Sequence, residues 1–299
     1  MPIELLSICV PTRNRARYLR EILAAFAQQV VAGKLGPDQV KFYISDNAAE
    51  DETPEIIREF GRKVPWSACS RNPVNIGGDA NIAHVRSLGK GEYIWVVGDD
   101  EILAEGAVLA VLKLIQEHRP GLIIAYDTGY NLKIPRPQVF ADYRAFAKEC
   151  IRYNTHALAE QTLISSNVFR ADCFDSDYAQ ANLHTNFGHM FGLIRPVAAK
   201  KVSVLLPEAP IITVRKWRPG GVDGEWPDLD VAWLRYLQWL REELQLPELD
   251  PHAPIAEARQ NMIRSMTRNP VRFLTTNWRS IFDPKAYRFV GKRLLGRKP

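Results

Sequence analysis

Three adjacent carboxylates follow an apolar run about a third of the way along the chain. Residues 93–97 are typical of a buried β-strand, and Asp99, Asp100 and Glu101 come directly after Gly98. In an open α/β sheet, ligands bind beyond the carboxyl ends of the strands, so these acids would lie beside a substrate. Close carboxylates repel one another and are most easily kept ionised by a divalent cation. The stretch therefore predicts a Mg²⁺ or Mn²⁺ site shared with nucleotide phosphates.

The acids have a simpler interpretation, which stays open at this stage. Acidic residues stabilise the positive N-terminal end of a helix, so Asp99 and Asp100 would also suit the beginning of the next helix. The choice depends on the elements that surround them.

Strand and helix patterns alternate around the acids. Residues 5–10, 40–45 and 122–126 have strand character, whereas residues 18–30 and 105–117 carry apolar side chains at helical spacing. Strands that alternate with helices predict an α/β fold with a mainly parallel, doubly wound sheet. In such a sheet the acids belong to a ligand site.

Composition limits the class of protein. The 299 residues are 46% hydrophobic and 24% charged, as in an ordinary globular protein. The N-terminus lacks a secretory signal and no apolar run is long enough to span a bilayer, so we expect a cytoplasmic chain. Widely spaced cysteines predict buried thiols and neither disulfides nor a zinc site. They are Cys9, Cys69, Cys150 and Cys173.

The net charge of +5 is unevenly distributed along the chain. From Arg264 onward, ten basic residues stand against Asp283 alone, which gives the tail +9 and leaves −4 for the rest. Basic residues interleaved with aromatic ones predict an interfacial helix on an anionic membrane. A solvated helical face is the alternative. Nucleic-acid binding would also suit the basic tail, but the acidic remainder argues against it.

Four short motifs occur in order along the first third of the chain. They are Ser-Ile-Cys-Val-Pro-Thr-Arg-Asn-Arg (7–15), Ser-Asp-Asn (45–47), Asn-Ile-Gly-Gly-Asp-Ala-Asn (75–81) and Gly-Glu-Tyr-Ile-Trp-Val-Val-Gly-Asp-Asp-Glu (91–101). Together they resemble the family 2 glycosyltransferases. The last motif and Leu-Ile-Ser-Ser-Asn-Val-Phe-Arg (163–170) are most similar to abequosyltransferase-like enzymes of bacterial O-antigen assembly.

The resemblance covers residues 3–215 and implies a GT-A fold, which is a Rossmann-like, mainly parallel sheet flanked by helices, with a C-terminal helical appendage. We expect a catalytic domain at 1–215, a lid or linker loop with a packing helix at 216–254, and a basic amphipathic helical tail at 255–299. In the glycine- and proline-rich loop, Arg215, Lys216 and Arg218 would meet a diphosphate. A plain interdomain linker is the alternative.

The resemblance also implies a donor site for a nucleotide sugar. Asp46 would contact the base, although Asp46 and Asn47 also suit a turn or helix cap. Asp99 would contact the ribose or a metal-bound water, and Asp100, with Glu101, would bind the cation that neutralises the leaving diphosphate. Glycines before a short helix would let backbone amides approach the diphosphate. The remaining donor residues are Pro11, Thr12, Arg13, Asn14, Arg15, Asn75, Gly77 and Gly78.

The general base is ambiguous. An inverting transferase needs a base beside the acceptor hydroxyl, and relatives often supply it from a Glu-Asp pair. No such pair occurs in residues 160–200, and His189 lies near the expected place in a helix-like apolar segment. His184 or His189 as a structural histidine is the alternative, and Asp175 and Asp177 are rival bases. A retaining enzyme would not need the same base.

The acceptor site is the least defined part of the prediction. Ser165 and Ser166 form a polar patch that suits a strand lining an acceptor pocket, or an ordinary edge strand. Trp217 would stack on a sugar or base. The resemblance implies a polyprenyl-diphosphate-linked or other saccharide as acceptor, and a peripheral place on the inner face of the cytoplasmic membrane. A nucleotidyltransferase is the alternative enzyme class, but the chain lacks the glycine-rich loop expected after its first strand.

Overall fold

The computed structural model describes residues 4–125, 134–153, 155, 157–158, 161–213 and 229–253. The chain divides into two compact units, Met1–Arg215 and Lys216–Pro299. The first unit carries the motifs, and the fold of that unit positions the site.

Strands and helices alternate through the first unit. Its strands are β1 Leu6–Thr12, β2 Val40–Asp46, β3 Ala68–Arg71, β4 Tyr93–Val96, β5 Ile102–Leu103, β6 Leu122–Ile124, β7 Gln138–Phe140, β8 Asn167–Arg170, β9 Val204–Leu206 and β10 Ile212–Thr213. Its helices are α1 Ala16–Ala32, α2 Thr53–Lys63, α3 Gly78–Leu88, α4 Ala107–His118, α5 Tyr143–Tyr153, α6 Ser176–Ala181 and α7 Gly188–Ala199. Single 3₁₀ turns form at Ile164–Ser166, Ala171–Cys173 and Leu183–Thr185.

The main sheet has eight strands in the order β3-β2-β1-β4-β8-β6-β9-β7. β1 pairs in parallel with both β2 and β4, and β2 pairs in parallel with β3. β8 is antiparallel to β4 and β6, and β7 is antiparallel to β9. The predicted α/β fold with a mainly parallel sheet is confirmed. The strand order reverses between β1 and β4, and this is the point where such sheets bind ligands.

The apolar periodicity of the sequence produces the core beneath that point. The helix predicted at 18–30 is α1, and it turns Leu19, Leu23, Phe26 and Val30 into the core. The ring of Phe42 on β2 lies 5.2 Å from the ring of Phe26. Each buried side chain of this size contributes about 1.5–3 kcal/mol relative to an exposed one. The strand ends are therefore fixed to a rigid base.

The cysteines are free thiols, as predicted. Cys9, Cys150 and Cys173 are buried, whereas Cys69 is exposed on β3, so burial was predicted correctly for three of the four. Burial raises the pKa of the Cys9 thiol to about 12, which keeps it protonated and unreactive.

The second unit is described only in part. Its helix α8, Leu229–Glu243, lies where the packing helix after the loop was predicted. Tyr236, Leu237 and Leu240 on this helix are buried. The loop at 214–228 and the tail from residue 254 lie outside the described residues, so the predictions for Trp217 and for the basic tail lie outside them too. Among the described residues, no helix is both long and apolar enough to cross a membrane.

Candidate active site

The carboxyl ends of β1 and β4 bring an arginine and two aspartates together. The hydroxyl of Thr12 donates to Oδ2 of Asp99 at 2.7 Å, and Nη1 of Arg15 donates to Oδ1 of Asp99 at 3.1 Å. Nη1 of Arg15 also lies 3.2 Å from Oδ2 of Asp100. Because β1 and β4 are adjacent and parallel, with Cys9 opposite Val96, the residues after each strand meet at one edge of the sheet. We call Thr12, Arg15, Asp99 and Asp100 the acidic cluster.

The two aspartates of the acidic cluster differ in environment. Asp99 is buried, and burial raises its pKa to about 6 although Arg15 and Thr12 act to lower it. Burial alone would lower the pKa of Arg15, but the carboxylates of Asp99 and Asp100 outweigh it and leave that pKa raised. The Asp100 side chain is 42% exposed. Asp99 is therefore the inner, braced acid and Asp100 the outer one.

The loop after β1 is held against β2. Pro11 pairs with Ser45 and Thr12 with Asp46 in the parallel register. Asn14 adopts a left-handed φ of 51°, a conformation that asparagine tolerates better than most residues, and its Oδ1 accepts from the amide of Glu50 at 2.8 Å. The structure therefore places the predicted 11–15 loop beside the end of β2. Arg13 on this loop is half-buried.

Asp46 lies buried at the end of β2 with both carboxylate oxygens engaged. Oδ1 accepts from the amide of Ala49 at 2.8 Å, and Oδ2 pairs with Arg71 at the end of β3. Arg71 also donates to the carbonyl of Ala49 at 2.8 Å. Sequence reasoning missed Arg71, because no motif marks it and only the strand order brings it beside Asp46. The contact of Asp46 with a nucleotide base stays a prediction.

An asparagine at the end of β2 organises the turn before α3. Nδ2 of Asn47 donates to Oδ1 of Asn75 at 2.9 Å and to the carbonyl of Gly77 at 3.2 Å. Its Oδ1 accepts from Nδ2 of Asn72 and from the amide of Ile76, both at 3.0 Å. One buried amide thus uses four hydrogen bonds to fix residues 72–77. We call this the amide network.

A second asparagine ties the same turn to β2. Oδ1 of Asn81 accepts from the hydroxyl of Ser45 at 2.6 Å and from Nδ2 of Asn72 at 3.1 Å. Asn47 and Asn81 belong to the quoted motifs, so the signal for their importance was present, but motif position did not show their partners. Asn72 carried no such signal.

The N-terminus of α3 is open. Gly77 has a φ of 89°, which is strained for any residue with a Cβ, and no side chain caps the helix. A Cβ atom added at Gly77 or Gly78 would meet nothing within 4 Å. The backbone amides of the first turn are therefore accessible to an anion, as the sequence predicted for a diphosphate.

Ser165 and Ser166 do not lie on the predicted strand, and their role in acceptor binding stays a prediction. Both side chains are completely buried in a 3₁₀ turn rather than a strand. Ser165 Oγ donates to Oε1 of Glu101 at 2.8 Å and accepts from the amide of Gly98 at 3.0 Å, while its carbonyl accepts from Trp95. Ser165 thus braces the acidic loop from behind. Because Glu101 is buried in this brace, its role in cation binding stays a prediction.

A cavity of about 380 Å³ lies between α3, α6 and α7, against β4 and β8. His189, at the start of α7, and Asp79, in the first turn of α3, line it. Burial lowers the pKa of His189 to about 4, although the carbonyl of Thr162, 2.8 Å from Nε2, acts to raise it. His189 is therefore neutral near pH 7, with Nε2–H donating to that carbonyl. Burial raises the pKa of Asp79 to about 6.

The rival bases stand elsewhere. Asp175 is the N-cap of α6, where its side chain accepts from the amide of Tyr178 at 2.9 Å, and Asp177 is exposed in the first turn of that helix. His184 is also exposed. The cavity therefore contains His189 and Asp79 but neither rival acid, and the identity of the base stays a prediction.

The described residues contain no cluster of three or more His, Cys, Asp or Glu side chains that could hold a metal ion. A Mg²⁺ or Mn²⁺ ion that arrives with a nucleotide needs only one or two protein carboxylates, because phosphates and water complete its shell. Asp100 fits that role since it is the exposed acid of the cluster. The residues present fit a cation shared with a substrate and do not form a metal cage of their own.

The Rossmann-like, mainly parallel sheet carries two aspartates at its switch point, where such sheets bind ligands. This is the arrangement of the GT-A fold. The chain belongs to glycosyl transferase family 2, whose family model matches residues 7–170. The resemblance inferred from the four motifs is thereby confirmed.

Two curated relatives are similar over part of their length. The chain is 38% identical over 131 residues to abequosyltransferase RfbV of Salmonella typhimurium, covering 43% of this chain and 38% of that protein. It is 22% identical over 207 residues to the poly(ribitol-phosphate) beta-N-acetylglucosaminyltransferase TarS of Staphylococcus aureus, covering 68% of this chain and 34% of the relative. The matches thus span less than half of either relative.

Solved structures share the fold. Residues 1–349 of S. aureus TarS in complex with UDP-GlcNAc superpose with a TM-score of 0.55 at 14% identity, covering 97% of this chain and 80% of that one. The mannosyltransferase PcManGT from Pyrobaculum calidifontis in complex with GDP-Man and Mn²⁺ gives a TM-score of 0.51 at 15% identity, covering 99% and 82%. At these identities the likeness shows the fold alone.

Proposed function

We propose that this chain transfers a sugar from a nucleoside diphosphate donor to a hydroxyl of a saccharide acceptor. The acidic cluster at the β1/β4 switch point carries the proposal, because it sets an arginine and two carboxylates where such folds bind nucleotides. Family membership supports it, and both curated relatives described above are named as sugar transferases. A nucleotidyltransferase is not favoured by these observations.

The donor lies along the carboxyl ends of β2, β1 and β4. Asp46 and residues 11–15 contact the base and ribose, and Asp99, held by Thr12 and Arg15, fixes the loop that carries Asp100. The amide network holds the N-terminus of α3 open, so backbone amides after Gly77 meet the diphosphate. This side of the site is preorganised by protein hydrogen bonds before any ligand binds.

Asp100, with Glu101 as a second carboxylate, would hold a Mg²⁺ or Mn²⁺ ion shared with the donor. When bound, such a cation would supply positive charge for the leaving diphosphate. The protein's own contribution is the contact of Arg15 at 3.2 Å, which restrains the Asp100 carboxylate at this edge of the sheet.

The reaction forms one glycosidic bond and breaks one. The acceptor oxygen bonds to the anomeric carbon while the bond from that carbon to the diphosphate oxygen breaks, and the diphosphate leaves with the electron pair. The acceptor proton passes to a base, for which His189 is our candidate through Nδ1, since Nε2 is engaged with Thr162. Attack opposite the leaving group inverts the anomeric configuration.

The finer substrate assignment rests on the similarity to the abequosyltransferase over 43% of this chain. We propose a hexose or deoxysugar donor and a lipid-linked saccharide acceptor of bacterial surface polysaccharide synthesis. The chain would then act at the inner face of the cytoplasmic membrane through its basic tail.

A nucleoside diphosphate release assay tests the proposal. The protein is incubated with UDP-, GDP-, CDP- and dTDP-linked sugars in Mn²⁺, with and without saccharide acceptors, and the released diphosphate is measured. We expect release from one nucleotide class, strongly reduced in Asp100→Asn and unchanged in Glu117→Gln, a matched loss of charge on the exposed end of α4. Equal release by wild type and Asp100→Asn would refute the proposed site.

A further inference from the structure

The cavity beside the acidic cluster has mainly apolar walls. Two of its lining residues lie close in sequence to the acidic loop: Val96, the last residue of β4, comes three residues before Asp99, and Ile164 comes directly before Ser165, whose hydroxyl accepts from the amide of Gly98. Its volume of about 380 Å³ falls within the range of small-ligand pockets. The apolar wall residues that set its shape are Ile82, Ala83, Phe169, Phe174, Leu183 and Leu193.

A guanidinium group to which the described part of the chain offers no acidic partner lines this cavity. The guanidinium of Arg86 stacks 4.0 Å above the ring of Phe174, and its Nη1 donates to the hydroxyl of Ser176 at 2.8 Å. Its Nε is buried and has no acceptor, and no described carboxylate forms an ion pair with Arg86. Burial lowers the pKa of Arg86. A cation partly removed from water in this way is stabilised by a bound anion.

A carboxyl group lies at the other end of the same cavity. Asp79 precedes Arg86 by seven residues on α3, so both lie on one helix face about 10 Å apart. No described residue donates a hydrogen bond to Asp79. A carboxylate in a cavity accepts hydrogen bonds from ligand hydroxyls. The cavity therefore presents a hydroxyl-binding end at Asp79 and an anion-binding end at Arg86.

We propose that this cavity binds the acceptor and that the acceptor carries an anionic group, a carboxylate or a phosphate ester, which Arg86 recognises. The inference rests on the proposed function and deepens it. The donor elements are the ends of β1 and β2 and the turn before α3, whereas α6, α7 and β8 close the cavity on the other side. A hydroxyl-bearing ring lies towards Asp79, and the charged group lies over Phe174 against Arg86.

Titration with simple sugars tests the charge requirement. The protein is first saturated with Mn²⁺ and whichever of UDP, GDP, CDP or dTDP binds, which keeps anions out of the donor site. Glucuronic acid, glucose 6-phosphate and neutral glucose are then titrated into wild type, Arg86→Gln and Arg86→Lys. Arg58→Gln on the exposed face of α2 is the matched control.

We expect at least one charged sugar to bind wild type and Arg58→Gln roughly tenfold more tightly than glucose. Arg86→Gln should lose that preference while it still binds the nucleotide, and Arg86→Lys should keep part of it. A preference for glucuronic acid identifies a carboxylate, and one for glucose 6-phosphate identifies a phosphate.

Equal binding of charged and neutral sugars, no sugar binding at all, or an unchanged preference in Arg86→Gln would overturn the inference. The nucleotide result separates this failure from a failure of the proposed function. If wild type binds a nucleotide but shows no charge preference, only the inference falls. If a folded wild type binds no nucleotide, both fall.

Discussion

The two sides of the acidic loop compensate charge in different ways. On the donor side, Asp99 is matched by Arg15, Asp46 by Arg71, and Asn47 uses four hydrogen bonds. On the cavity side, Arg86 lacks a described acidic partner and the walls are mainly apolar. Hydrogen bonds and ion pairs therefore hold the donor side in one geometry, whereas the cavity side leaves a charge for its ligand to satisfy.

Removing the guanidinium group of Arg15 from the acidic cluster should have the largest effect on stability. Arg15→Met leaves Asp99 buried without its ion pair, and breaking one partner of such a pair costs about 3 kcal/mol of unfolding free energy. Chemical denaturation measures the loss, with the exposed Arg17→Met as control. The double variant Arg15→Met with Asp99→Asn should recover part of it. A loss below about 0.5 kcal/mol would contradict the described pairing.

Acid should destabilise the cavity side through His189. Its folded pKa of about 4 lies below the ordinary value of 6.5, so below pH 6.5 the unfolded chain binds the proton more tightly. The resulting loss grows as pH falls to about 4, below which it is constant. Between pH 8 and pH 5, unfolding free energy should fall about 2 kcal/mol less in His189→Gln than in wild type. Identical pH dependence in the two proteins would show that the surroundings of His189 do not lower its pKa.

The amide network should matter for both stability and nucleotide binding. Asn47→Ala removes four hydrogen bonds and leaves buried partners unsatisfied, which should cost about 2 kcal/mol and weaken nucleotide binding. Asn182→Ala removes a single bond to Tyr178 on the cavity side and is the matched control. Calorimetric unfolding and nucleotide titration check both variants. Equal effects of the two changes would contradict the organising role of Asn47.

The turn before α3 should show the smallest effect. Gly77→Ala places a Cβ at a φ of 89° and should cost about 1 kcal/mol, whereas Gly78→Ala lies in open space within the helix and should be close to neutral. Thermal unfolding of the pair distinguishes strain from crowding. If Gly78→Ala proved as costly as Gly77→Ala, the turn would be more crowded than described.

Local sequence patterns predicted much of the fold and the position of the acidic residues in the site. The apolar run at 93–97 became β4 and the helical spacing at 18–30 became α1, since both are set by the residues' own periodicity. The acids after β4 were placed correctly at a strand end because strand ends meet at one edge. These inferences need only neighbours in sequence.

The sequence did not predict which side chains distant in the chain would be hydrogen-bond or ion-pair partners. Polar side chains in an apolar run suggest exposure, yet Ser165 is buried and forms hydrogen bonds with Glu101 and Gly98. Arg71 and Asn72 gained their partners only through strand order. The cavity is lined by α3 and by residues that lie almost a hundred positions later in the chain. No local sequence pattern predicts that these two segments are neighbours.

The acidic cluster is proposed to be the donor site for a nucleotide and a divalent cation. Calorimetric titration of UDP, GDP, CDP and dTDP, each with Mn²⁺ or EDTA, into wild type, Asp100→Asn and Glu117→Gln tests it most directly. We predict that one nucleotide binds in Mn²⁺, and that EDTA or Asp100→Asn weakens it by tenfold or more, while Glu117→Gln leaves it unchanged. A folded wild type that binds none of the four, or binds one equally with and without Asp100, would contradict the account.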